Sequence, residues 1–105
     1  MEILRNTEDF ERLLAEPLAI VFKHSTMCGI SARAHDEAER FLAENPEHAV
    51  YKVEVLESRR VSDYVEEKTG VRHASPQLLV LRSGEVVWHV SHAGVTAEAI
   101  ATTLG

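Results

Sequence analysis

Five consecutive apolar residues, Leu18-Ala19-Ile20-Val21-Phe22, constrain this chain more than any other feature. The run has strand length and no polar alternate, which is the pattern of a strand buried on both faces of a sheet. Such a strand needs packed layers above and below it. The residues on either side supply them. Thr7 to Glu16 sets Phe10, Leu13 and Leu14 at helical spacing, with Asn6 and Thr7 as cap candidates and Pro17 as the stop. After His24-Ser25-Thr26-Met27, the positions Ile30, Ala34, Ala38, Phe41 and Leu42 recur with the same period up to Asn45-Pro46.

Ala49 to Val55 has the β-branched composition of a second strand. Ser58 is placed to cap a third helix carrying Val61, Tyr64 and Val65, and Gly70 is placed to end it. Gln77 to Arg82 and Glu85 to Ser91 form a hairpin about Ser83-Gly84, and an amphipathic helix runs from Thr96 to about Leu104. A βαβ unit joined by a helix to a hairpin and a closing helix predicts an α/β thioredoxin-like fold. The expected sheet is mixed and four-stranded, with helices on both faces. At 105 residues, the expectation is a single domain over 1–105.

Charge and cysteine usage narrow the chemistry. Seventeen acidic against eleven basic residues give a net charge of -6, which disfavours nucleic acid as a partner. No apolar stretch is long enough to span a bilayer, and the N-terminus lacks the basic start and apolar core of a signal peptide. The expectation is a cytoplasmic protein without a membrane partner. Cys28 is the only cysteine, so an internal disulfide and a four-cysteine zinc site are excluded, and redox chemistry must engage a second molecule.

A lone cysteine is often an inert core residue. Cys28 differs in following a buried strand, opening a helix and having loop-forming neighbours in Ser25, Thr26 and Gly29. Unpaired N–H groups and the macrodipole at a helix N-terminus favour a thiolate, which is the nucleophilic form. Ser31 lies one turn on, and its hydroxyl can donate to that thiolate or pack as a small polar residue. Cys28-Gly29-Ile30-Ser31 therefore has the spacing of a Cys-x-x-Cys site whose second thiol is a serine, and a mixed disulfide on Cys28 must wait for an external thiol.

Ser75-Pro76, just before the third strand, is the second informative feature. In a thioredoxin arrangement this strand start faces the nucleophile's helix, and a cis bond there turns the Ser75 backbone toward an extended substrate. His24 and His73 are read as rim residues able to become cationic around pH 6.5 and to favour a thiolate. His24, His35, His73, His89 and His92 follow no known zinc-ligand spacing with Cys28, so no metal is expected. The acidic run Glu37 to Glu44 reads as a solvated helix face, and Trp88 as core.

Three segments in order, Phe22-Lys23-His24-Ser25-Thr26-Met27-Cys28-Gly29-Ile30-Ser31, Gly70-Val71-Arg72-His73-Ala74-Ser75-Pro76-Gln77 and Gly84-Glu85-Val86-Val87-Trp88-His89-Val90-Ser91-His92, resemble the YtxJ-type monothiol bacilliredoxins. The resemblance covers nearly the whole chain. It implies a thioredoxin fold and removal of bacillithiol from mixed disulfides on client proteins, with Cys28 attacking, Gly29, Ser31 and His24 supporting the thiolate, and Met27, Arg72, His73, Ser75 and Pro76 contacting substrate. Bacillithiol is then a low-molecular-weight thiol co-substrate, and no tightly bound cofactor is implied. Its negatively charged malyl group calls for a local cation, with Lys23, Arg33, Arg72 and His73 as candidates and Arg72 first among them, because a guanidinium can grip a carboxylate through two parallel bonds.

Two departures stand out: family members typically carry Pro at Gly29 and Glu at Ala74. Two other functions compete. Cys-Gly-Ile-Ser is one residue from the Cys-Gly-Phe-Ser of iron-sulfur-carrying monothiol glutaredoxins, although His92-Ala93-Gly94-Val95-Thr96 stands where those show a Gly-Gly-x-Asp-like segment. The third reading is a non-catalytic thioredoxin-like adaptor.

Overall fold

A computed structural model of the chain describes residues 1–27 and 29–105. The elements run β1 (Glu2–Ile3), α1 (Thr7–Leu13), β2 (Ala19–His24), α2 (Gly29–Glu44), β3 (Tyr51–Glu54), α3 (Arg59–Thr69), β4 (Gln77–Arg82), β5 (Glu85–Ser91), a 3-10 turn (His92–Gly94) and α4 (Ala97–Leu104). The sheet order is β1-β3-β2-β4-β5. β1 and β2 lie parallel to β3, and the hairpin strand β4 runs antiparallel to both β2 and β5.

The sheet therefore has five strands and not the expected four. The extra one pairs Glu2 and Ile3 with Tyr51 and Lys52, and the Leu4 N–H continues it by donating to the Lys52 carbonyl at 2.8 Å. A two-residue edge strand is too short to carry a period, so only the burial of Leu4 marks it.

β2 occupies the centre and all six of its residues are buried. Its side chains alternate between two cores, as the pleat requires. Val21 joins Phe10, Leu13, Val61, Val65 and Leu79 under α1 and α3. Ile20 and Phe22 join Ala34, Phe41, Val80 and Ile100 under α2 and α4. The next two residues continue the alternation, so Lys23 points toward α3 and His24 toward α2.

Local signals set the remaining boundaries. The Asn6 side chain accepts the Asp9 N–H at 2.9 Å and caps α1. Gly70, at φ 72°, ends α3 with its N–H on the Glu66 carbonyl. Ser83 and Gly84 both take positive φ in the hairpin turn, and a Cβ at Gly84 would stand 2.7 Å from the Leu14 carbonyl oxygen. Ser58 occupies the N-cap position of α3 but makes no side-chain capping bond, because its ψ of 55° is not the extended backbone that folds a cap hydroxyl back onto the helix. Trp88 is half-buried against the α2/α4 core. Glu37 is not simply solvated: its carboxylate accepts the Ala97 N–H at 2.9 Å and ties α2 to the start of α4.

Candidate active site around the head of helix α2

β2 delivers the chain to a short loop, Ser25 to Met27, and α2 begins at Gly29. Cys28, the expected nucleophile, lies outside the described residues. The segments on either side of it are tied together: the Ser31 hydroxyl accepts the Ser25 backbone N–H at 2.9 Å, and the Ser25 hydroxyl accepts the Met27 N–H at 3.3 Å. Ser31 is fully buried. Met27 and Ile30, in contrast, are 82% and 49% exposed, so two apolar side chains stand in solvent beside the loop. A Cβ at Gly29 would meet open space.

The Ser75–Pro76 peptide is cis. Pro76 is buried, and its carbonyl accepts the His92 N–H at 2.9 Å. Gln77, also buried, donates from its side chain to the Arg72 carbonyl at 2.9 Å and so braces the segment before the proline.

His24 and His73 depart from the expectation that they turn cationic around pH 6.5. Burial pushes the His24 imidazole below its ordinary value, against a smaller opposing pull from Glu54. Its ring packs on Phe22 and, with centroids 4.8 Å apart, on His35. Burial likewise lowers His73, helped by the charge of Lys23. Both rings therefore favour the neutral form.

Lys23 is not a surface cation either. It is fully buried, and burial lowers its ammonium to about 8 against the pull of Glu66 and Asp63. Its Nζ lies 3.1 Å from His73 Nδ1, which is also 3.2 Å from the Ser62 hydroxyl. An ammonium can only donate, so Nδ1 accepts and the His73 proton resides on Nε2. A second network lies on the α2 side of the sheet: Lys52 Nζ sits 3.1 Å from His35 Nε2 and 3.0 Å from the Glu54 carboxylate, and His35 Nδ1 faces Glu39 at 3.4 Å. Among the described residues, the single cluster with metal-ligand proximity is His35, Asp36 and Glu39, and the Lys52 ammonium already holds the outer nitrogen of its imidazole.

Two clefts flank the loop. One, of about 230 Å³, is lined by Ser25, Leu56, Arg59, Ser62, His73 and Ser75, among others. The other, of about 280 Å³, lies between Ile30, Arg33 and Glu37 of α2 and the His92 to Thr96 segment. The structure thus brings Ser25, His73 and Ser75 to one cleft and sends Arg33 to the other. Arg72 is exposed and lines neither. Arg59 was not legible as a site residue, because only the docking of α3 on the sheet brings it to the cleft that Ser25 and Ser75 line.

The described residues contain no helix long and apolar enough to cross a membrane. The chain matches a family model described as monothiol bacilliredoxin BrxC over residues 2–100. Among solved structures it is similar to a candidate oxidoreductase with a thioredoxin fold, at 33% identity and a TM-score of 0.93, covering 99% of this chain and 93% of that one. Thioredoxin from Fasciola hepatica (22% identity, TM-score 0.80, 99% and 98% covered) and mitochondrial thioredoxin 3 from Saccharomyces cerevisiae in its oxidised form (16% identity, TM-score 0.77, 98% and 92% covered) share the fold. A match over nearly the full length, on a thioredoxin fold, shows that the chain belongs to the monothiol bacilliredoxin BrxC family.

Proposed function

We propose that the protein is a thiol-disulfide oxidoreductase that removes bacillithiol from mixed disulfides on client proteins, with Cys28 as the attacking group. The Cys28 thiolate attacks the bacillithiol sulfur of a client mixed disulfide. That S–S bond breaks, a Cys28–bacillithiol disulfide forms, and the client leaves as a thiolate that takes a proton from water. The thiolate of a second low-molecular-weight thiol then attacks the same bacillithiol sulfur. It releases Cys28 as a thiolate and leaves joined to bacillithiol in a small-molecule disulfide, so that the disulfide bond passes from the client to that product.

The observation that carries this reading is the state of Ser31. The position where a dithiol site would hold its second cysteine is a buried hydroxyl, committed to the Ser25 N–H, and Cys28 is the only thiol in the chain. An adduct on Cys28 has no internal thiol to displace it. Met27 and Ile30 offer apolar contact to a client, and pairing of an extended client segment with the Ser75 backbone, two residues ahead of β4, belongs to the same reading. The chemistry suits a reducing compartment such as the cytoplasm.

The test is an intact-mass measurement after exposure to bacillithiol disulfide. One bacillithiol adduct is expected on the wild type, none on Cys28→Ser, and loss of the adduct on adding free thiol. A wild-type protein that takes up no bacillithiol would overturn the reading.

A further inference from the structure

The cleft on the α3 side of the loop has a composition that selects its occupant. Three serines, Ser25, Ser62 and Ser75, and one imidazole line it, with Leu56 as an apolar wall. The Ser75 hydroxyl is buried and has no partner among the described residues, an unpaired polar group on a residue of the cleft wall. His73 accepts at Nδ1 from Lys23 and so keeps an N–H at Nε2 to donate.

The charged groups lining the cleft are one cation and one anion, Arg59 and Asp63, in a chain of net charge -6. The wall of the cleft is the first turn of α3, where Arg59 is the first residue. That turn carries no acidic residue and no side-chain cap, leaving the positive end of an 11-residue helix unneutralised. Arg59 is exposed and lines the same cleft as His73. Asp63, which also lines the cleft, works against a polyanion such as a phosphate but is a good acceptor for hydroxyl groups. At about 230 Å³ the space falls below the roughly 300–1,000 Å³ of drug-sized pockets and takes one end of a small-molecule thiol, with the rest lying outside it.

The geometry points to this cleft as the seat of the small-thiol co-substrate, holding the end that carries hydroxyl groups and a carboxylate, with Arg59 gripping the carboxylate and Ser62, Ser75 and His73 reading the hydroxyls. The assignment rests on the thiol-exchange reading above and transfers to Arg59 the recognition role that sequence gave to Arg72.

Two measurements test it separately from that reading. In the first, S-methyl bacillithiol, which cannot exchange, is titrated into isotope-labelled protein. The amide signals of Arg59, Ser62, His73 and Ser75 are expected to shift together with one saturation curve, and Arg59→Gln is expected to weaken that curve about tenfold. Shifts confined to other residues, or an equally tight curve for S-methyl glutathione, which has carboxylates but no sugar hydroxyls, would overturn the assignment. In the second, mixed disulfides of one client peptide with bacillithiol and with 2-mercaptoethanol are compared, and the ratio of the two rates is read. The ratio should fall about tenfold in Arg59→Gln and severalfold in Ser62→Ala, but hold in Arg72→Ala. A ratio that holds in both cleft variants, or falls only in Arg72→Ala, would overturn it. A wild-type protein that exchanges with neither disulfide refutes the catalytic reading, and the titration still decides the cleft.

Discussion

The Ser31 hydroxyl accepts the backbone N–H of Ser25 at 2.9 Å, joining the first turn of α2 to the residue that follows β2. The bond is buried and spans six positions of chain, so it fixes both ends of the segment that contains Cys28. A serine here is therefore a structural tie as well as the absence of a second thiol.

Removing that hydroxyl should be costly. In Ser31→Ala the buried Ser25 N–H loses its acceptor, and leaving such a group unsatisfied costs about 1–3 kcal/mol. Denaturant unfolding should show a matching loss of stability. Ser31→Cys, by contrast, should give the chain a Cys-x-x-Cys pair, and mild oxidation should produce a monomeric species lighter by two hydrogens. A Ser31→Ala protein as stable as the wild type would show that the tie carries no weight.

Glycine at position 29 is not required by the geometry. It stands at the first position of α2 and has open space where a Cβ would go. Proline is favoured at that position because the first helical N–H lacks an intrahelical partner in any case. Gly29→Pro should stabilise the fold by about 0.4–1 kcal/mol by restricting the unfolded chain. Differential scanning calorimetry should read this as a rise of a few degrees, and a fall would show that the Gly29 N–H is in use.

The larger features of the fold were legible because each had a local cause. The run from Leu18 to Phe22 announced a strand covered on both faces, and Ser83-Gly84 announced the hairpin that brings β4 and β5 together. What sequence could not show were relations made by packing. The pair Glu2–Ile3 is too short to reveal a period. Lys23 and His24 follow Phe22 as a cation and an imidazole, which reads as a strand leaving the core, yet β2 continues through both and buries them. Burial then reverses the expected protonation of His24, since desolvation penalises the charged form. Arg59 carries no motif, and its place at the cleft follows only from how α3 packs on the sheet. The candidate site was therefore visible as a loop, a cysteine and a proline, but not as a pair of clefts on either side of the loop.

Lys23 offers a test of that buried polar layer through the pH dependence of stability. Its folded-state value is lowered from 10.5 to about 8, so between these limits the unfolded chain binds more protons at this site than the folded one. Stability rises with pH wherever the unfolded state binds more protons, and Lys23 therefore contributes a gain as pH climbs from about 8 to 10.5. Below pH 8 both states are protonated, and the full penalty of holding an ammonium in the core is present. Lys23→Met keeps the apolar stem and removes the charge, so it should abolish this component while leaving the titration of other groups in place. Unfolding free energies measured at intervals from pH 7 to 10.5 should give curves for the two proteins that converge toward high pH, the wild type gaining on the variant. Parallel curves across that window would show that the Lys23 ammonium is not destabilised by its burial against His73.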